Sequence, residues 1–477
     1  ILINMSTFIF LVINILVLFV IISSKDDLKF LDLEFERNLT LGEPFTPEEF
    51  YKKNFYNQIY VKMKVGSKKQ EIPFYLYLRQ YSLSIQSANS NGKEVKGIYN
   101  EKQSDTYKFI YNDAFSEISD YNYDDLVKVD VSEDIFYIND ISTNMLFYLS
   151  KENYGASHIT EGGKIGLDFY HHDFKNDSIN FINNMKRNNL ISKYFFSIIY
   201  DSNELNNDKG HLYLGALLHD INGKRYSNKS LVTTSSNTHE WAFTFKYILF
   251  GKQIIENEIE SHLYPEFGFI SGNKKFFDTL KNSTLWLEYF NKNEKCHTYK
   301  FRIDDFESYY NFRLSYEFTA YYCDKDVDVD KLIPENITFR DLFLEYDLIL
   351  NNKDIWIEKN EYKFFLILEY SGLENIWIFG APFFKKFHMT FNPDLKQLGV
   401  YTYVDYNAKD DDDNHEENNS FIVYIIIISV LILVSGVLSF FLIKICIYLP
   451  RKKRANELLD DFDYKITEKS QNEINPS

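Results

Sequence analysis

From Phe55 to Tyr403 short apolar and aromatic runs alternate with polar turns, and no long amphipathic helix interrupts them. Runs of this kind predict strands. The pattern is sharpest between Asn375 and Tyr403. Ile376 to Phe379 reads as a strand, and Gly380 supplies the turn that leaves it. Pro382 suits the first turn of a helix, where its missing N–H costs nothing. Phe383, Phe384 and Phe387 then share the inner face of that turn. Phe387 to Phe391 resumes as a strand, Asn392-Pro393-Asp394 turns the chain, and Leu398 to Tyr403 returns beside it as a hairpin. The expected fold class is all-β: mainly strands, with short helices.

Two longer apolar runs lie outside this region. Met5 to Ser23 has signal-peptide length, with Ser23 and Ser24 ahead of Lys25-Asp26-Asp27, so residues 1–24 read as a signal peptide; an uncleaved N-terminal anchor is the alternative. Phe421 to Ile443 is 23 residues without a charge, enough to span a bilayer as a helix. Lys444 and Arg451-Lys452-Lys453-Arg454 follow it, while Asp410 to Glu417 is acidic on the other side. The positive-inside rule then puts residues 444–477 in the cytosol and residues 25–420 in the lumen or outside. The prediction is a single-pass type I protein of the secretory pathway or plasma membrane. Asp26 to Lys53 is charged and reads as loop-rich, so residues 25–55 are expected to be a residual prosegment or N-terminal extension. Residues 404–420 read as an acidic stalk.

Composition narrows the function classes. The chain has 477 residues, 45% apolar and 18% aromatic, which supports one large two-lobed domain or two to three ordinary ones. A net charge of −17 offers no basic face to nucleic acid. Three cysteines are too few for a disulfide scaffold. His171-His172-Asp173 is the one stretch with a metal-like look, but adjacent side chains point apart and it reads as a solvated loop. No phosphate-cradling glycine loop is present, and no cofactor or metal is expected. The abundance of Asn, Lys, Tyr, Ile and Phe reads as genomic base bias, as in some apicomplexan parasites.

The order of blocks from about residue 56 to 403 resembles the pepsin-like aspartic peptidases, in particular a divergent, membrane-anchored, plasmepsin-like member. Tyr60 to Gln70, with Gly66, is similar to the family's opening strand. Phe74-Tyr-Leu-Tyr-Leu-Arg-Gln-Tyr-Ser-Leu-Ser-Ile85 sits where the family writes Phe-x-Val-x-Phe-Asp-Thr-Gly-Ser-Ser-x-Leu. Tyr111 falls at the flap tyrosine, Gly163 to Leu167 resembles Asp-Gly-Ile-Leu-Gly-Leu, and Gly210 to Gly215 resembles the strand closing the first lobe. Trp241 to Phe245 matches the opening of the second lobe, and Leu263 to Ile270 its catalytic loop. Ile378-Phe379-Gly380, Thr390-Phe391 and Leu398-Gly399-Val400 match the C-terminal signature. The resemblance implies a bilobal fold, with an N-terminal lobe over residues 56–225 and a C-terminal lobe over residues 226–403.

It also implies a site that has changed. The family uses two carboxylates about 3 Å apart that share one proton. In the register above, Arg79 takes the first acidic position and Tyr264, without gaps, the second. There is no Asp or Glu between Glu71 and Glu94, so no shift of register restores the first carboxylate. Glu266-Phe267-Gly268 stands in for the second motif only if two residues are deleted; Arg79 would then be able to pair with Glu266. Cys296 and Cys323 are the two lumenal cysteines, and a bridge between them would depart from the family's pairing. The expectation is a catalytically degenerate membrane protein that binds an extended peptide or a protein partner in the interlobe cleft, or serves as an assembly subunit. The alternatives are a divergent membrane-anchored aspartic-type endopeptidase, or a structural ectodomain whose cleft is filled by side chains such as Tyr81 and Tyr264.

Overall fold

Alternation of apolar and polar residues builds most of this molecule as strands. The computed structural model describes residues 28–37, 45–55, 58–88, 99–115, 127–150, 162–169, 178–201, 208–236, 240–292, 294–303, 316–333, 335–341, 344, 346–370 and 376–405, together with Arg454. The expected signal or anchor, the transmembrane helix at 421–443, the His171-His172-Asp173 stretch, the tail apart from Arg454 and the stalk apart from residues 404–405 lie outside them. Among the described residues no helix is long and apolar enough to cross a membrane.

In the first part of the chain the strands are β1 (Leu31–Arg37), β2 (Ile59–Val65), β3 (Gln70–Tyr77), β4 (Leu83–Gln86), β5 (Lys108–Phe115), β6 (Val127–Ile138), β7 (Ile141–Ser150), β8 (Gly163–Gly166), β9 (Phe196–Tyr200) and β10 (Lys209–Leu214). The second part continues with β11 (Leu231–Ser235), β12 (Ala242–Phe250), β13 (Gln253–Leu263), β14 (Ile270–Gly272), β15 (Cys296–Ile303), β16 (Tyr316–Asp324), β17 (Ile337–Asp341) and β18 (Asp347–Leu350). It closes with β19 (Trp356–Lys359), β20 (Tyr362–Phe365), β21 (Ile367–Tyr370), β22 (Ile376–Phe379), β23 (His388–Asn392) and β24 (Gln397–Tyr401). Helices are few and short; those used below are α1 (Pro47–Phe55) and α2 (Ala381–Lys386). The fold is mostly β with short helices, consistent with the pepsin-like expectation.

The strands form two large sheets. One runs β11-β24-β23-β9-β10-β1-β2-β3-β8-β4-β7-β6-β5, the other β18-β17-β12-β13-β22-β14-β21-β16-β20-β19, with β15 on β16. The first sheet takes β11, β23 and β24 from the end of the chain and hydrogen-bonds β23 to β9, so it ties the two parts together. Trp241 adds to this tie: its indole N–H donates to the Leu167 carbonyl at 2.9 Å, and its ring meets Phe169 edge-on. Phe383, Phe384 and Phe387 of the C-terminal stretch are buried in the same core, on and just after α2, as their spacing predicts.

The N-terminal stretch corrects the expectation of a loop-rich extension. Leu31, Leu33 and Phe35 alternate with Asp32, Glu34 and Glu36, and this period of two buries the apolar set. β1 pairs with β10 from Leu31 to Glu36 and with β2 from Phe35 to Arg37. Thr46 and Glu49 then cap α1 reciprocally, each backbone N–H meeting the other's side chain. The inner face of α1 buries Phe50, Tyr51, Asn54 and Phe55. They pack against Phe267, Phe269, Phe301, Phe318 and Phe364, and the Tyr51 hydroxyl donates to the Tyr321 carbonyl. Charged residues on the outer faces gave the stretch its loop-like appearance.

Candidate functional site

Each sheet contains the same four-strand unit. In the first sheet β8 runs parallel to β3 and antiparallel to β4, which is parallel to β7. In the second, β22 runs parallel to β13 and antiparallel to β14, which is parallel to β21. One strand therefore threads between the two arms of a loop in each case.

The register makes the two loops comparable residue by residue. Ile165 pairs with Leu76 on one side and Leu83 on the other; Phe379 pairs with Leu263 and Ile270. Six residues lie between the paired positions each time: Tyr77 to Ser82, and Tyr264 to Phe269. Third in each loop stand Arg79 and Glu266. Two glycines support this alignment. A Cβ at Gly166 would stand 2.4 Å from the Gln80 carbonyl oxygen, and one at Gly380 would stand 2.1 Å from that of Phe267. Both positions need glycine because the fourth residue of a loop crosses behind them. Tyr264, placed at the second acidic position by the ungapped reading, is first in its loop and matches Tyr77. In the strand register it is Glu266 that stands level with Arg79.

The structure brings Arg79, Tyr264 and Glu266 together. The Arg79 Nε lies 3.4 Å from Glu266 Oε1, with the side chains 18% and 6% exposed. The guanidinium sits 4.3 Å from the centre of the Tyr264 ring, within cation–π range. Below it, the Tyr264 hydroxyl donates to Glu240 Oε2 at 3.0 Å, and His262 Nδ1 meets the same oxygen at 2.9 Å. Glu240 and His262 carried no signal in the sequence beyond lying next to Trp241 and one strand step from Tyr264.

Burial sets the electrostatics here. It pushes the Glu266 carboxyl up to about 6, against the opposing pull of Arg79. Burial first, then the nearby Glu240 charge, raises the Tyr264 phenol well above its ordinary range, so it stays a donor. Burial also works to raise Glu240, but the hydrogen bond and charge of His262, with Arg79 and Tyr264, leave it lowered. Glu266 is thus the member of the Arg79–Glu266 pair that can exchange a proton near neutrality, since a guanidinium keeps its own.

The second loop is also covered from the N-terminal side. The Asn54 amide lies 3.4 Å from the Gly268 carbonyl, and a Cβ on Gly268 would stand 2.1 Å from the Asn54 carbonyl oxygen. Phe55 meets Phe267 edge-on at 4.8 Å. Tyr111 lies on β5 at the edge of the first sheet and is 50% exposed, and its neighbours Phe109 and Ile110 are exposed as well. Among the described residues it makes no hydrogen bond or ring contact with Arg79, Tyr264 or Glu266. Cys296 and Cys323 face each other across β15 and β16 and are joined by a disulfide.

A family model described as eukaryotic aspartyl protease matches residues 65–284, a span that contains both loops. No curated protein matches the chain. Residues 65–284 are thus similar to a pepsin-like aspartyl protease domain, and the second four-strand unit is completed by strands beyond them.

Proposed function

We propose that this protein is a pepsin-like family member without aspartic-peptidase catalysis, acting as a non-catalytic binding or assembly subunit. The observation that carries the reading is the Arg79–Glu266 ion pair at equivalent places in the two loops. The family's reaction needs two carboxylates sharing one proton, one to draw a proton from water and one to give a proton to the carbonyl. A cation facing an anion has no proton to share. It neutralises the buried Glu266 charge and links the two loops instead. The packing of Tyr264, Phe267 and Phe269 beneath α1 supports assembly with a protein surface over the holding of a long peptide along both loops. The reading places this domain outside the cytosol on a single C-terminal membrane helix, residues 421–443; the run of 23 uncharged residues and the Cys296–Cys323 disulfide support it.

A second reading, a divergent endopeptidase working through one carboxylate, draws support from Glu266, buried and held near pH 6. A statine-type ligand distinguishes the two, because its hydroxyl takes the place of the water between two carboxylates. Thermal unfolding of the purified protein is expected to be unchanged by such a ligand. A saturable rise in melting temperature that is lost in Glu266→Gln would favour the peptidase.

A further inference from the structure

A second polar cluster lies where β1, α1, the second loop and α2 meet. Arg37, Asn54, Asp208, Gly268, Lys359 and Lys385 line a cavity of about 30 Å³ there, with apolar residues closing the rest. A water needs roughly 10–15 Å³ by this measure, so the space holds about two waters or one small ion.

Among the described residues that line the cavity, cations outnumber carboxylates. Arg37 is 5% exposed and Lys385 is buried, while Asp208 is the one carboxylate among the lining residues. Lys385 Nζ donates to Asp208 Oδ1 at 3.0 Å. Arg37 Nη2 donates to the Pro265 carbonyl at 2.9 Å, but its Nε has no hydrogen-bond partner among the described residues. The fully buried Tyr200 turns its hydroxyl toward the Arg37 guanidinium, and its ring lies 5.3 Å from Lys385 Nζ. Lys359 adds a third cation at the rim. Among the described lining residues, two buried cations share one carboxylate and a guanidinium N–H is unused, an arrangement that something negative would complete. Lys385 registers that excess: burial lowers it to about 8, with Asp208 pulling upward and Arg37 and Lys359 pushing further down.

We propose that this cavity binds a small oxyanion, held between the Arg37 Nε and the Lys385 ammonium. The unused guanidinium N–H supplies a directed donor, and Lys385 a compact charge. Carboxylate and phosphate share the chemistry required, and the size of the cavity favours the smaller. A bound oxyanion would fasten α1 and β1 to the second loop, since all three contribute to the wall. The site is independent of whether the Arg79–Glu266 pair is catalytic.

The test is thermal unfolding and titration calorimetry on the purified full-length protein with sodium acetate, inorganic phosphate or sodium chloride, at constant ionic strength. The expected result is a saturable, one-to-one stabilisation of several degrees by acetate or phosphate and not by chloride. Arg37→Gln and Lys385→Met should each weaken that binding about tenfold or more. Acetate acting alone identifies a carboxylate site; phosphate acting at least as strongly identifies a phosphate site. Lys359→Gln, at the half-buried rim, serves if either core variant fails to fold, and should weaken binding by a smaller factor. A non-saturable response in the wild type overturns the proposal. So does equal stabilisation by chloride, or saturable binding that none of the three substitutions alters.

Discussion

Arg79 and Glu266 stand third in two equivalent loops and face each other as a cation and a carboxylate. Removing Arg79 would leave Glu266 buried without its counter-charge. Arg79→Met is therefore expected to destabilise the fold by about 3 kcal/mol at neutral pH, the low end for a buried pair because the arginine is partly exposed. The sign with pH follows from Glu266. Its folded pKa is raised to about 6 from an ordinary 4.5, and loss of Arg79 raises it further. The penalty is present above the folded value and disappears as acid protonates the carboxyl. Urea unfolding of Arg79→Met should approach wild type near pH 5, and Arg79→Met/Glu266→Gln should have no such pH dependence. His388 works in the other direction. Burial first, then Arg225, hold its imidazole neutral down to about 3, against 6.5 when unfolded, and its Nδ1 meets the Tyr226 hydroxyl. Its contribution is complete above pH 6.5 and is lost as pH falls toward 3. Unfolding free energies measured between these limits should fall less steeply in His388→Gln than in wild type.

At the scale of elements, the N-terminal segment 31–55 is part of the framework. β1 fills a place between β10 and β2, and α1 completes an aromatic cluster beneath the second loop. Phe50, stacked on Phe364 at 4.0 Å, is the centre of that contact. Phe50→Ala should cost about 3–5 kcal/mol in chemical denaturation, as for a fully buried phenylalanine. A cost near zero would mean that α1 is detachable, as a removable prosegment must be. The alternation in Leu-Asp-Leu-Glu-Phe-Glu-Arg is a plain strand signal, and it was legible. What obscured it was the charge on every second residue, together with a partner, Leu212 and its neighbours, nearly two hundred residues away. The helix was harder to read. Pro47-Glu-Glu-Phe-Tyr-Lys-Lys-Asn-Phe55 carries a capping box in Thr46 and Glu49, but its aromatic face acquires meaning only against Phe267 and Phe364.

Across the whole molecule, local pattern revealed the elements and long-range pairing decided their equivalence. The C-terminal stretch, from Ile376 through the Phe383–Phe384 turn to the closing hairpin, was readable because its helical turn and the β23–β24 hairpin are local, although β22 and β23 also pair with distant strands. In the first loop no acidic residue lies near Arg79 in sequence, so the sequence offers one reading there. In the second it left Tyr264 and Glu266 as alternatives, since Pro265 and the run of aromatics offer no local marker of where a strand partner sits. Only the pairing of Phe379 with both Leu263 and Ile270 fixes Glu266 opposite Arg79. The most direct test of the ion pair's consequence is cleavage. The purified protein, shown to be folded, should be incubated with a diverse peptide library from about pH 4 to about pH 7, with and without a statine-type inhibitor. The Arg79–Glu266 pair predicts no inhibitor-sensitive cleavage at any pH in that range. Inhibitor-sensitive cleavage that vanishes in Glu266→Ala would contradict it, and would mean that this carboxylate has found another partner for the reaction.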